Sequence, residues 1–161
     1  MQASIELLLD LVDEAFEGPA WHGPSLRESL RRITAAQAAW RPAPGRHSIR
    51  ELTIHAAYWK HVVRGRLTGT APGSFPLEGS NWFRAAPSRT WDDDVRLLVA
   101  EHRRLRQTIG AYSARALDRP IDAKKQTAAF TIRGIAAHDL YHAGQIRLLR
   151  ALQGGKGRKG G

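Results

Sequence analysis

Apolar residues recur at helical spacing in four stretches of this 161-residue chain, and this periodicity constrains the fold more than any other feature. The stripe of the second stretch includes Leu52, His55, Trp59, Val63 and Leu67. A spacing of three or four residues puts such side chains on one face of a helix. No pair of β-branched runs is joined by a hairpin turn. The pattern therefore predicts an all-α fold.

Capping residues and helix breakers divide the stripes into long helices. The first is predicted over about residues 4 to 16, where Gly18-Pro19 stops it. Ser48 and Glu51 form an S-x-x-E capping box that opens the second helix, and Gly69 ends it. Thr90 caps a third helix that is predicted to reach about residue 113, and the fourth runs from about residue 131 to 154.

Shorter segments connect these helices. Ser25 and Glu28 form another S-x-x-E box, which predicts one short helix after the first long one. Residues 70 to 88 are rich in Gly, Pro and Ser and contain Phe75, Trp82 and Phe83, which indicates a long loop held by aromatic side chains. We therefore expect one domain over residues 1–153, a four-helix bundle with an extra short helix and a long connection between its second and third helices. Residues 154–161 read as a flexible Gly/Lys/Arg tail.

Composition limits the classes of function. Hydrophobic residues make up 42% and charged residues 25% of the chain, as in globular proteins. No stretch approaches the roughly 20 apolar residues of a membrane span, and the N-terminus lacks a basic leader, so we expect a cytoplasmic protein. The net charge is +10, of which three charges lie in the tail, leaving +7 elsewhere. This charge would attract polyanions such as nucleic acid. The sequence has no helix-turn-helix signature and no aromatic RNA-binding motif, however, so nucleic acid is the least favoured partner.

Histidine spacing provides the first chemical signal. His138 and His142 stand four residues apart on the last predicted helix, so both imidazoles leave the same helix face. His55 lies on the inward stripe of the second helix and is the candidate for a third ligand. Because the chain has no cysteine, a transition metal must bind His, Asp or Glu. The sequence thus predicts one divalent metal ion on these three histidines.

A structural role is the alternative for every histidine taken singly, since one buried imidazole is more often a hydrogen-bonded core residue than a ligand. His22, His47 and His61 have no partner at ligand spacing, and we assign them as structural or solvent-facing. We assign His102 in the same way. It is also the best candidate for a fourth participant, because it lies on the inward stripe of the third helix.

The last histidine pair reads H-D-x-x-H, one residue away from the zincin motif in which a glutamate is the general base. Asp139 is one methylene shorter than that glutamate, and the sequence pattern predicts no β-sheet whose edge could bind a peptide. We therefore favour an Asp139 that faces solvent or orients an imidazole.

Two segments resemble the signature segments of the DinB/YfiT-like proteins: S-I-R-E-L-T-I-H-A-A-Y-W at 48–59 and H-D-L-Y-H-A-G-Q-I at 138–146. The segment W-H-G-P-S-L at 21–26, the W-R-P turn at 40–42 and Trp91 at the start of the third helix are also similar to that family. Arg50 stands where close relatives often carry an aromatic residue. The resemblance covers nearly the whole chain apart from the tail.

This resemblance implies a bundle with a crossover connection, a homodimer, and a zinc or nickel ion on the positions of His55, His138 and His142. Relatives with known activity include transferases that use mycothiol, bacillithiol or glutathione, and a mycothiol-dependent maleylpyruvate isomerase. The resemblance therefore implies a low-molecular-weight thiol as a further cofactor.

Three functions follow from these patterns. The first is a metal-dependent enzyme, a thiol-dependent transferase or a hydrolase acting on a small molecule, with Asp139, Tyr141 and Gln145 near the metal to position substrate or water. The second is a non-catalytic metal-binding stress-response bundle, in which the ion only ties two helices together. The third, which the sequence favours least, is a nucleic-acid binder.

Overall fold

In the computed structural model, which describes residues 2–71, 73–84 and 86–155, the chain is helical. The elements in chain order are α1 (Gln2–Phe16), α2 (Leu26–Ser29), α3 (Ala35–Ala39), α4 (Ile49–Thr68), α5 (Trp91–Gly110), a 3₁₀ turn (Ala114–Ala116) and α6 (Ala128–Gly155). The described residues contain no β-strand, only one isolated bridge between Pro120 and Thr127. The predicted all-α fold with four long helices is confirmed.

The predicted caps define the start of two of these helices. The Ser48 side chain accepts from the Glu51 backbone N–H at 3.2 Å, while the Glu51 carboxylate accepts from the Ser48 N–H at 2.8 Å. Thr90 and Asp93 form the same reciprocal box at the start of α5. Gly69 ends α4 in the left-handed region with φ of 67°, a conformation that a residue without Cβ adopts at little cost.

The structure differs from the sequence prediction between α1 and α4. One short helix was expected there, and two are present, separated by a turn in which Arg32 has φ of 58°. The start of α3 carries a signal of its own, a Thr34-x-x-Gln37 capping box that resembles the boxes above.

Two long helices also have different ends from those expected. Helix α5 ends at Gly110 rather than near residue 113, and α6 begins at Ala128 rather than at residue 131. Helix α6 continues through residue 154 to Gly155, and the rest of the predicted tail, 156–161, lies outside the described residues.

The four long helices pack as a ring in which each has two neighbours. Both α1 and α4 pack against α5 and α6, so α1 and α4 occupy opposite corners, as do α5 and α6. Consecutive helices of a simple up-and-down bundle would be neighbours. Here the segment from α1 to α4, which carries α2 against α6 and α3 against α4, crosses the bundle, and the segment from α5 to α6 also joins opposite corners. A crossover is also what the family resemblance implies.

A layer of buried polar side chains separates two apolar clusters of the core. One cluster contains Phe16 and the N-terminal halves of α4 and α5 with the C-terminal half of α6, and the other contains most of α1 with the remaining halves. Between them on the three helices lie buried charged and histidine residues: Lys60, His61, Glu101, His102, Asp139 and His142. Burying charge in a core is expensive unless the groups are paired. This layer therefore depends on pairing between its polar groups, such as the ion pair of Lys60 with Asp139.

Arg50 also has a defined place. Its guanidinium donates to Asp94 at 2.5 Å and to the Arg89 carbonyl at 2.6 Å, which ties α4 to the start of α5. None of the helices in the described part of the chain combines the length and the apolar character that a bilayer-spanning segment needs.

Candidate metal centre

Helices α4 and α6 bring the three predicted histidines together. The Nε2 atom of His138 lies 3.1 Å from Nε2 of His55 and 3.1 Å from Nε2 of His142. Zinc–nitrogen bonds of about 2.0–2.1 Å place two nitrogens of one ion roughly 3–3.5 Å apart. The observed separations therefore suit three ligands of a single small divalent ion.

Hydrogen bonds on the far side of two rings determine where their lone pairs lie. The Nδ1 atom of His55 is 2.7 Å from the Asn81 carbonyl, which can only accept, so Nδ1 carries the proton. The Nδ1 atom of His142 donates in the same way to the Gln145 amide oxygen at 2.6 Å. In both neutral rings the Nε2 lone pair then faces the other histidines. This is the tautomer that a metal ligand needs.

His138 differs from the other two, because its Nδ1 atom is buried without a hydrogen-bond partner among the described residues. Its Nε2 can supply at most one proton to the group, and the Nε2 atoms of His55 and His142 both require one. At least one lone pair is left without a donor when only protein groups are counted. A divalent cation satisfies all three nitrogens at once, so the residues present fit such an ion.

Burial keeps the three imidazoles neutral. Burial, with smaller contributions from the neighbouring His142 and His55, lowers the pKa of His138 to about 3. Burial lowers the pKa of His142 to about 4, against a hydrogen bond to Gln145 that raises it. The pKa of His55 is also lowered, chiefly by burial. Unprotonated rings at neutral pH are the form that binds a metal.

The long loop between α4 and α5 forms one wall of the centre. Besides the backbone carbonyl that His55 uses, Asn81 offers its side-chain oxygen to the Trp59 indole N–H at 3.0 Å. Trp82 stacks on the His55 ring, with centroids 3.9 Å apart and planes 8° from parallel, and His47 stacks on Trp82 at 3.6 Å. The sequence indicated an aromatic-anchored loop, but nothing in it pointed to Asn81 as a partner of His55.

The three residues predicted near the metal occupy different environments. Gln145 holds the His142 ring through the bond described above. Tyr141 is 65% exposed, with its ring centroid 5.2 Å from that of His142. Asp139 neither faces solvent nor bonds an imidazole: it is fully buried and accepts a hydrogen bond from Lys60. The structure thus puts Gln145 in an orienting position, while catalytic roles for all three stay predictions.

Sequence reasoning also missed Lys60, which the structure buries completely beside the centre. Its ammonium bonds Asp139 and lies 5.0 Å from the Phe16 ring centroid. Burial raises the pKa of Asp139, and the Lys60 charge opposes that rise. Lysine on a helix usually indicates a solvent face, so only the packing of α4 against α6 reveals this pair.

His102 faces inward as expected but does not join the three histidines. It packs against α1, stacked on Phe16 with centroids 3.8 Å apart, and its Nε2 lies 3.4 Å from Asp13 Oδ1. It belongs with Asp13 and Glu17, a separate group in which the potential ligand atoms lie within 4.8 Å of one another. The expectation of His102 as a fourth participant is therefore not met by its position.

Comparison with known proteins agrees with this architecture. A model of the DinB superfamily matches residues 20–146, which include all three histidines of the candidate centre. The chain belongs to the DinB superfamily. Among solved structures, the DinB-like bundle is similar to a crystal structure described as the conserved protein of locus from Enterococcus faecalis. The two share 20% sequence identity at a TM-score of 0.63, over 94% of this chain and 95% of that one, which shows a common fold. No curated protein matches the sequence.

Proposed function

We propose that His55, His138 and His142 hold one divalent ion, zinc or nickel, and that the protein is a metal-dependent enzyme of the thiol-dependent transferase or hydrolase type. The observation that carries the proposal is the convergence of three Nε2 atoms, two of them in rings whose tautomer is fixed from behind. Packing alone gives no reason to gather three such lone pairs in one buried place.

The number of ligands favours catalysis over a structural role. Structural zinc sites in proteins use four protein ligands, whereas catalytic sites use three and keep a position for water or substrate. In the described part of the chain, no further His, Asp or Glu joins the three histidines. A divalent ion bound by three imidazoles supplies Lewis acidity toward a water or a thiol.

The protein's own residues prepare this centre. Asn81 and Gln145 orient the rings of His55 and His142, so that little movement is needed to bind the ion. Trp82 covers one face of His55 and excludes water from it. The exposed side chain of Tyr141, whose ring lies beside that of His142, is available to a small-molecule substrate. The homodimer and the cytoplasmic location stay predictions for size-exclusion chromatography and cell fractionation.

The decisive experiment is elemental analysis of untagged protein purified without added metal, because an affinity tag would add histidines of its own. We expect close to one zinc or nickel per chain in the native protein and a strong loss in His55→Ala. No metal in either protein, even after reloading with zinc, would remove the proposal and leave the histidines as core residues.

Catalysis needs its own test once metal is found. We expect the loaded protein to accelerate the reaction of a low-molecular-weight thiol with an electrophile, or the hydrolysis of an ester, and the His55→Ala protein not to do so. A bound metal with no such acceleration, and with a loss of thermal stability when it is removed, would support the non-catalytic bundle instead.

A further inference from the structure

A groove between α4 and α6 lies directly beside the candidate centre. It has a volume of about 150 Å³, and its walls include Trp59 and Val63 of α4 together with Phe130 and Ile135 of α6. His138 lines the groove as well, so the groove borders one of the proposed ligands. A concave, mostly apolar surface next to reactive groups is the usual form of a small-molecule site.

One cation stands at this groove. Of the described residues that line it, Arg66 alone carries a full charge. Its guanidinium carbon lies 5.8 Å from the Trp59 ring centroid, a cation–π distance that holds it over the apolar wall. The nearest carboxylate, Asp122, is 3.8 Å away, beyond hydrogen-bond range. Arg66 makes no hydrogen bond to any other described residue, so its N–H groups are available to an anion.

A glycine in the middle of α6 adds a second observation. Gly134 lines the groove, and a Cβ placed on it would meet no atom within 4 Å. Glycine inside a helix lowers its stability relative to alanine, and no close packing against a neighbouring helix requires it here. The missing side chain leaves the groove open at this point.

We propose that this groove binds a small apolar carboxylic acid, with the carboxylate on Arg66 and the hydrocarbon part against Trp59 and Phe130. The inference rests on the proposed function in one respect: the occupant is a substrate because it lies beside the ion on His138. A guanidinium with free donors selects a carboxylate, and aromatic walls select an apolar body. Because Arg66 supplies the one full charge among the lining residues, the groove favours an anionic occupant over a cationic one.

The test is a titration of the protein with phenylacetate, followed through the Trp59 indole signal in ¹H–¹⁵N NMR spectra and assigned with Trp59→Phe. The neutral analogue 2-phenylethanol is the matched ligand. We expect phenylacetate to shift the signal with saturation, and the alcohol to bind more weakly by a factor on the order of ten to one hundred, since it lacks the charged hydrogen bond. Equal binding of both ligands, or binding of neither, would overturn the proposal.

Three variants locate the site. Arg66→Met should weaken phenylacetate on the order of tenfold or more while leaving the alcohol unaffected. Gly134→Leu fills the groove with a helix-favouring side chain, so it should abolish binding without lowering thermal stability. Gly144→Leu is its control, because Gly144 is another glycine of α6 with open space around it and does not line the groove. Undiminished binding in Gly134→Leu would disprove the groove as the site.

Repeating the titration on zinc-loaded protein and on His55→Ala separates this inference from the proposed function. Binding that depends on Arg66 and Gly134 in both proteins supports the groove, even if no metal is retained. Binding that requires zinc and ignores Arg66→Met means that the carboxylate sits on the ion, which overturns the groove while leaving the metal centre intact.

Discussion

Two groups of side chains in the described part of this bundle offer possible ligand atoms, and they differ in burial and in what surrounds them. In the group of His55, His138 and His142, the atoms behind two rings are a carbonyl and an amide oxygen, both neutral. In the group of His102, Asp13 and Glu17, charged partners already occupy the carboxylates. Arg106 donates to both oxygens of Asp13 at 3.0 and 2.7 Å, and Arg27 donates to Glu17 at 2.8 Å.

Closeness of possible ligand atoms is therefore not sufficient for a metal site. At the second group, a cation would have to displace two guanidinium groups or remain beside them, and either choice opposes binding. His102 does offer two buried ring nitrogens without hydrogen-bond partners among the described residues. Its environment nevertheless favours a neutral core imidazole, since burial and the nearby Lys60 and Arg106 lower its pKa to about 3.

Lys60 connects the two regions, because its charge lowers the pKa of both His102 and His138. Of the substitutions predicted below, Lys60→Met should have the largest effect on stability. It leaves the Asp139 carboxylate buried without its cation, which we expect to reduce the free energy of unfolding by about 3–5 kcal/mol. Urea denaturation followed by circular dichroism measures this change.

The control for this prediction is the double variant Lys60→Met with Asp139→Leu. Replacing both members of a buried ion pair by apolar groups is often nearly neutral. We therefore expect the double variant to recover most of the lost stability. A double variant as unstable as Lys60→Met alone would show that packing around Lys60, rather than the ion pair, produces the effect.

The variants His142→Ala and His102→Ala test which of the two groups binds the metal. Loss of one of three ligands should weaken metal binding by more than about a hundredfold, beyond the effect known for residues that only orient ligands. His142→Ala should therefore lose metal in elemental analysis while keeping most of its helical circular dichroism. His102→Ala should keep the metal. A His142→Ala protein with full metal stoichiometry would show the ligand assignment to be wrong.

The buried state of His102 should instead be detected through the pH dependence of the free energy of unfolding. Its pKa is about 3 when folded, against a reference value of 6.5 for an unfolded chain. Between these values the unfolded state binds more protons, so its contribution to stability is complete above pH 6.5 and falls as the pH drops. From pH 7 to pH 5 this one group should lower the free energy of unfolding by about 2 kcal/mol.

The matched variant for this prediction is His102→Phe, which keeps an aromatic ring against Phe16 and cannot titrate. Metal-free samples of both proteins, unfolded in urea at pH 7 and pH 5, give the difference. The variant should lose about 2 kcal/mol less than the native protein over this range. An identical loss in both would mean that His102 is accessible to protons in the folded state.

The smallest effect is expected for Gln145→Leu, which removes the acceptor behind His142. Residues that orient a ligand commonly change metal affinity by about ten- to a hundredfold. A neutral amide polarises an imidazole less than a carboxylate does, so we expect a change on the order of tenfold. Competition with a chelator measures it. Gln153→Leu is the control, because Gln153 bonds the Gln37 carbonyl far along α6 and should leave affinity unchanged.

Most of the helical framework could be predicted from the sequence, for a local reason. Capping boxes such as Ser48 with Glu51 and stop signals such as Gly69 act within a few residues, so their pattern is legible without the fold. The wrong predictions concern helix ends and one short helix, where signals for starting and stopping a helix lie close together. The Thr34–Gln37 box was hidden in an alanine-rich stretch, and α5 ended early at Gly110, where glycine weakens the helix.

The three histidines of the candidate centre could also be predicted from the sequence. Two of its histidines are separated by one helical turn, so their common face follows from spacing, and His55 follows from the stripe of its own helix. The partners behind the rings are of two kinds. Gln145 is one turn from His142, whereas Asn81 is 26 residues from His55 in a loop whose path no periodicity describes.

The helices, their inward faces and the histidines on those faces could therefore be predicted from the sequence alone, because each depends on contacts between near neighbours in the chain. Which inward groups meet depends instead on how the helices pack. That packing directs His102 toward Asp13 and not toward His55, pairs Lys60 with Asp139, and brings the partly buried Arg66 over Trp59 at the groove. These outcomes depend on which helices are neighbours in the bundle, and the connections that cross the bundle leave no periodic signal in the chain.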